Sequence, residues 1–305
     1  MFKQMGNAIS TLFVLLILTG CGSAKSMATS MPVSLLPTVT PQLSNPYLGQ
    51  KPPGMEPEIF APGIISAPDF MEFSGTFSTD GSEYYFYRFY ENLQGGRILF
   101  SKIVDGKWTT PEQLAFTEEF GASEPLLTFD NTKLFFMWKH PVPPGQPGFP
   151  AYFFVERMPE GWSEPKYAGQ GMFLSSSRDG QLYTTDMSLY AYGTTYLAKV
   201  TIDNGLFTNY EKLSIQPRLG SQAHPCIAPD GSYLLFDVNG GKYLFVSFKK
   251  ADGTWGEAID LTKHGFDRLA GGAYVSPDGK YLFFALHGDI WWVDIKVVEN
   301  LRPED

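Results

Sequence analysis

Glu124, Asp186, His224, Asp237 and His287 are the residue types from which acid–base or metal chemistry could be built, and they are scattered over more than half of a 305-residue chain. Glycoside hydrolysis needs two carboxyl groups flanking the scissile bond, and a third carboxylate can tune them. Glu124 with Asp237 and Asp186 supply those types. Metal-assisted hydrolysis needs converging imidazoles, for which His224 and His287 are the available pair. No local motif fixes either chemistry: the chain has no HExxH, no GxSxG, no phosphate loop and no CxxC. Cys226 has His224 as its only basic neighbour and reads as a packed thiol, not a nucleophile. No cofactor and no metal site is expected. Residues so far apart act together only if the fold gathers them.

That architecture is written in five versions of one phrase, STDGSEYYF, FDNTKLFFM, SRDGQLYTT, APDGSYLLF and SPDGKYLFF. Their aspartates, Asp80, Asp130, Asp179, Asp230 and Asp278, stand 48 to 51 residues apart, the signature of a repeat fold. Each phrase is a turn running into an aromatic strand. Gly, or Asn131 in the second copy, supplies the positive φ that the turn requires, and Asp can bond the amide two residues on. The aspartates are therefore expected to form turns, not to act on a ligand. A third strand follows (RILFSKI, YFFVER, TYLAKV, YLFVSF, DIWWVDI), then a fourth (GKWTTPEQL, EGWSEPKYA, GLFTNYEKL, GTWGEAIDL). Four short antiparallel strands per repeat of this length predict an all-β fold, a five-bladed β-propeller over residues 50–305. The last repeat lacks its fourth strand. The unassigned EPEIFAPGI (Glu56 to Ile64) is expected to supply it and so close the ring.

In a propeller the first strand of each repeat lines the central channel. Six residues before each turn aspartate stand Ser74, Glu124, Phe173, His224 and Gly272, and the second strands end near Arg88, Trp138, Asp186, Asp237 and His287. A ring of such unlike groups at equivalent positions is what a binding funnel requires. The candidate ligand-binding residues are Glu72, Ser74, Arg88, Glu124, Asp186, His224, Asp237 and His287. The proline-rich insertion HPVPPGQPGFPAY (His140 to Tyr152) is expected to form a flap beside Glu124. Trp108, Trp162 and Trp255 recur at one point of the fourth strand and are expected to pack between blades. Trp291 and Trp292, adjacent on a strand, must face opposite sides.

With all five units in register, led by STDGSEYYF, APDGSYLLF and SPDGKYLFF, and with W-x-x-P in fourth strands such as GKWTTPEQL and EGWSEPKYA, the chain resembles the TolB-type (WD-like, SPDG-repeat) β-propeller of bacterial envelope proteins. The resemblance covers everything beyond the N-terminal tether. It implies the fold and an envelope setting, where such propellers serve as docking platforms or sugar-active enzymes. TolB itself carries six blades and an extra domain, which this chain has no room for. The expected function is a ligand- or protein-binding module, with an envelope protein or a glycan as partner. The alternative is a carbohydrate-active enzyme, a glycoside hydrolase or lyase, with its site in the funnel.

The first residues fit that address. TLFVLLILTG is apolar but too short to span a bilayer comfortably, and it ends at Cys21 in LTGC. The pattern resembles a lipobox. Residues 1–20 are then a lipoprotein signal peptide, Cys21 the lipidation site, and residues 21–49 a Ser/Thr/Pro-rich tether. Gly22, where Asp would signal inner-membrane retention, favours the outer membrane. A net charge of −9 with no basic run argues against nucleic acid as a partner and against charge-driven docking on anionic lipid.

Overall fold

The computed structural model describes residues 47–90 and 95–304. The expected signal peptide, Cys21 and the tether as far as residue 46 lie outside the described residues. Strand β1 (Glu58–Ile59) precedes the repeats. From axis to rim, the first blade is β2 (Met71–Phe77), β3 (Glu83–Tyr90) and β4 (Gly95–Val104), with its outer strand split into β5 (Lys107–Trp108) and β6 (Glu112–Gln113). The second is β7 (Ala122–Leu127), β8 (Lys133–Trp138), β9 (Ala151–Glu156) and β10 (Lys166–Gln170). The third is β11 (Met172–Ser176), β12 (Leu182–Asp186), β13 (Tyr196–Asp203) and β14 (Leu206–Lys212). The fourth is β15 (Gln222–Ile227), β16 (Tyr233–Val238), β17 (Tyr243–Phe248) and β18 (Ile259–Asp260). The fifth has β19 (Gly271–Val275), β20 (Tyr281–Leu286) and β21 (Asp289–Asp294), and borrows β1 as its outer strand.

The ring closes as the incomplete last repeat demanded. Glu58 and Ile59 pair with Trp292 and Trp291, and the Phe60 amide donates to the Ile290 carbonyl at 2.8 Å. Phe60 is fully buried among Phe77 and Tyr84 of the first blade and Phe283 and Trp292 of the last. One residue thus joins the two ends of the disc and hides a strand edge. Tyr47 and Leu48, from the end of the expected tether, already pack into the same cluster.

The core lies between blades. Trp292 faces the seam between the last and first blades, while Trp291 packs on the seam between the fourth and fifth. Trp108 is buried, and Trp162 and Trp255 cover neighbouring seams.

The turn phrases do what their chemistry predicts. In all five, Asp Oδ1 accepts the amide two residues on, from Ser82, Thr132, Gln181, Ser232 or Lys280, at 2.9 to 3.3 Å. The next residue (Gly81, Asn131, Gly180, Gly231, Gly279) has φ between 56° and 85°. Four of the aspartates also accept a hydroxyl from two residues back, at 2.6 to 2.7 Å. The Ser177 hydroxyl and the Gln181 amide hold the Asp179 carboxyl below its ordinary range.

Candidate functional site

Every inner strand carries a β-bulge near its start, where two residues oppose one and the side chain is re-aimed. The first residue of each bulge is Phe73, Glu124, Phe173, His224 or Gly272. These five form a layer around the axis. The Phe73 ring lies 6.0 Å from that of Phe173 and 5.6 Å from His224, and Phe173 lies 5.0 Å from His224. Gly272 leaves room that Phe73 fills: a Cβ there would stand 2.9 Å from the Phe73 ring. Phe73 and His224 are partly exposed, whereas Glu124 and Phe173 are buried. Glu124, Phe173 and His224 hold φ of 54°, 55° and 51°, a conformation that side-chain-bearing residues rarely adopt.

Below this layer the axis holds a water-sized cavity of about 30 Å³. Its far end, on the turn face, is crossed by Arg178. The Arg178 amide donates to Pro229 O, its guanidinium donates to Pro277 O at 3.1 Å, and it lies over the Phe129 ring. The Arg178 side chain thus occupies the turn-face end of the axis.

The polar groups of the mouth serve the fold as well. Glu124 Oε2 accepts the Tyr152 hydroxyl at 2.8 Å and the Phe173 amide of the next blade at 2.6 Å. Thr185 Oγ1 accepts the His224 amide, and Asp237 Oδ2 accepts the Gly272 amide at 3.2 Å. Each latches one blade to the bulge of the following one, satisfying amides that the bulge frees. Asp237 is wholly buried, and its Oδ2 also meets His224 Nδ1 at 2.7 Å. Glu124 Oε1 and His224 Nε2 make no protein hydrogen bond among the described residues.

Burial pushes the Glu124 carboxyl above its ordinary range, against the pull of His224 and of its two donors. Burial works against a charged His224, but Asp237 and then Glu124 outweigh it and raise the imidazole. The mouth thus offers a protonatable carboxyl, an imidazole oriented by a carboxylate, and an aromatic floor. Among the described residues no group of three or more His, Cys, Asp or Glu is placed to hold a metal ion.

The other sequence candidates fall elsewhere. Glu72 and Arg88 pair with each other at 2.6 Å, and Arg88 also donates to the carbonyls of Ile64 and Ile65, tying the segment after β1 to the first blade. Burial pushes Glu72 up to about 7 despite Arg88. Ser74 is buried second in its bulge, and its Oγ has no partner among the described residues. The first-blade bulge lies one residue farther from its turn than the others, so Phe73, not Ser74, takes the place equivalent to Glu124. The third-blade hairpin is one residue shorter: Ser177 N donates to Gln181 O, whereas Ala228 N donates to Tyr233 O one position farther on. A one-residue slip turns a strand's side chains to its other face. Thr185 therefore stands where Asp237 does in the fourth blade, and Asp186 lines a separate groove at the rim. His287 is an exposed turn residue, 4.0 Å from Asp267. The proline-rich insertion reaches Glu124 through its last residue, Tyr152, but its loop departs from expectation. Its His140 stacks on Trp138 and its Pro147 carbonyl accepts the Tyr167 hydroxyl, so it folds toward the outer strand of its own blade.

Phe73 and Thr185 were missed because equal counting from the turns cannot see a displaced bulge or a shortened hairpin. The Gly75 and Gly180-Gln181 irregularities in the repeat were the available signals.

No family model matches the chain, and no curated protein does. Among solved structures it is similar to the putative TolB of Agrobacterium tumefaciens, with 16% identity and a TM-score of 0.46 over 70% of this chain and 69% of that one. It is similar to the TolB of Acinetobacter baumannii at 12% identity and a TM-score of 0.46, over 72% of this chain and 53% of that one. A Bacillus subtilis arabinanase matches at 16% identity and a TM-score of 0.45, over 73% of this chain and 94% of that one. The chain thus spans about half the length of the Acinetobacter protein. Likeness at this level carries no argument about function.

Proposed function

We propose that this protein is a lipid-anchored binding module of the bacterial envelope. Cys21 carries the lipid, residues 21–49 act as the tether, and the domain over residues 50–305 recognises a protein or glycan at the loop-face mouth. The observation that carries the reading is the mouth layer itself. Three bulky residues, Glu124, Phe173 and His224, hold a left-handed backbone where glycine would be easiest. Strain kept at one end of a channel is a mark of use. Partner groups would rest on Phe73 and His224, with Glu124 Oε1 and His224 Nε2 as the polar contacts. An outer-membrane site follows from Gly22.

A second reading, a carbohydrate-active enzyme, draws on one feature. Asp237 orients His224 through Nδ1 and leaves Nε2 free, the arrangement of a general base. Both carboxylates at the mouth already hold a bulge amide, and Asp186 stands apart, so the three-carboxylate version loses its third member.

The test is thermal unfolding of the full chain against oligosaccharides, peptidoglycan fragments and envelope extract, beside Glu124→Gln and His224→Gln. A ligand at a hundred times its dissociation constant adds about 2.7 kcal/mol. A shift that both variants lose supports the mouth, and turnover of the ligand would move the reading to the enzyme. A shift that both variants keep contradicts it. Labelling with an alkyne fatty acid, lost in Cys21→Ser, tests the anchor.

A further inference from the structure

We infer that the rim groove between the second and third blades is a binding site for a neutral oligosaccharide, separate from the mouth. The groove encloses about 420 Å³ between β10 and β14, a size suited to a small ligand. Its aromatic lining is Tyr167, Phe207 and Tyr210, and its polar lining includes Gln146, Gln170 and Asp186. No lysine, arginine or histidine lines it, so nothing there would hold a phosphate, a sulfate or a uronic acid. A carboxylate, side-chain amides and hydroxyls can accept from and donate to vicinal hydroxyls, while ring faces receive the C–H face of a sugar.

The groove is built, not left over. The Tyr210 hydroxyl crosses from the third blade to donate to Gln170 O at 2.6 Å, fixing its floor. The Tyr167 hydroxyl donates to Pro147 O at 3.0 Å and holds the proline-rich loop as one wall. Gly169 has φ of 151°, and a Cβ there would stand 2.7 Å from Phe207, so the bare backbone lets that ring settle into the lining. Asp186 Oδ1 is held by the Ser188 amide at 2.8 Å. Its Oδ2 and the Gln146 side chain make no protein hydrogen bond among the described residues.

Calorimetric titration of the full chain with cellotetraose, chitotetraose, maltotetraose and tetragalacturonate tests the site. At least one neutral tetrasaccharide is expected to bind and tetragalacturonate is not. Asp186→Asn, which keeps the Ser188 contact, should weaken binding about tenfold, as loss of a hydrogen bond to a charged group does. Gln146→Ala should weaken it about threefold, and Lys280→Ala, on the turn face, should leave it unchanged. Four results would overturn the assignment. These are no binding of any neutral tetrasaccharide at millimolar concentration, binding of tetragalacturonate alone, binding that survives both groove variants, and binding abolished by Glu124→Gln.

Discussion

At the turn end of each inner hairpin the chain passes through a left-handed residue, and four of the five are glycine, with Asn131 the fifth. At the mouth end it does so again in four blades, but there only Gly272 is glycine, beside Glu124, Phe173 and His224. The left-handed conformation costs a side-chain-bearing residue about 1–2 kcal/mol. One end avoids that cost and the other accepts it three times. Repetition at the turns is what a fold needs five times over, whereas the unlike residues at the mouth answer a demand that the repeat does not make. Glu124 and Asp237 also each latch a neighbouring blade, so on the proposed reading stability and recognition share the same atoms.

Removing a mouth carboxylate should have the largest effect. Asp237→Ala leaves the His224 imidazole and the buried Gly272 amide without their shared acceptor, and should destabilise the fold by about 3 kcal/mol, read by denaturant unfolding. Asp230→Ala at a turn should cost about 1 kcal/mol, and equal losses would erase the contrast between the two ends.

The pH dependence of stability should separate the ends by sign. His224 is raised above its ordinary 6.5, so its contribution is full below that value and fades as pH rises through the higher folded value. Glu124, raised from 4.5, acts in the same direction from a lower start. Asp179 is lowered from 3.8, so its contribution is present above that value and lost as pH falls. In melting curves against pH, His224→Gln should cost about 2 kcal/mol near pH 6 and less at alkaline pH. Asp179→Asn should flatten only the acid limb. A constant His224→Gln deficit across pH would show that the imidazole does not titrate as described.

The glycines themselves give effects of about 2 kcal/mol and below. Gly272→Ala meets Phe73 and should cost about 2 kcal/mol while displacing that ring. Gly231→Ala has open space around it and should cost only the backbone term, about 1 kcal/mol. Asn131→Gly should change stability by no more than about 0.5 kcal/mol, since Asn tolerates this conformation. Chemical denaturation of the three variants ranks them.

The sequence carried the blades because each turn phrase is a local device: Asp, Gly and a hydroxyl two residues earlier suffice, and the spacing does the rest. It carried the closing strand because a missing fourth strand must be found somewhere, and Phe60 shows why it is held. It carried Glu124, His224 and Asp237 because their blades keep the common count from turn to bulge. It failed at Ser74 and Asp186, where a bulge moved by one residue and a hairpin shortened by one, changes that a period-2 strand converts into the opposite face. It failed also at the proline-rich loop, whose stiffness was legible but whose anchor on Tyr167 is a long-range contact.

The most direct test of recognition at the mouth uses the two ends of one strand. His287 and Lys280 flank β20, one on the loop face and one on the turn face, and both side chains are exposed. A photo-reactive benzophenone side chain placed at either position in the intact envelope reports which face meets a partner. The account predicts adducts from position 287 and none from position 280. Adducts from position 280 alone would place recognition on the turn face and contradict it.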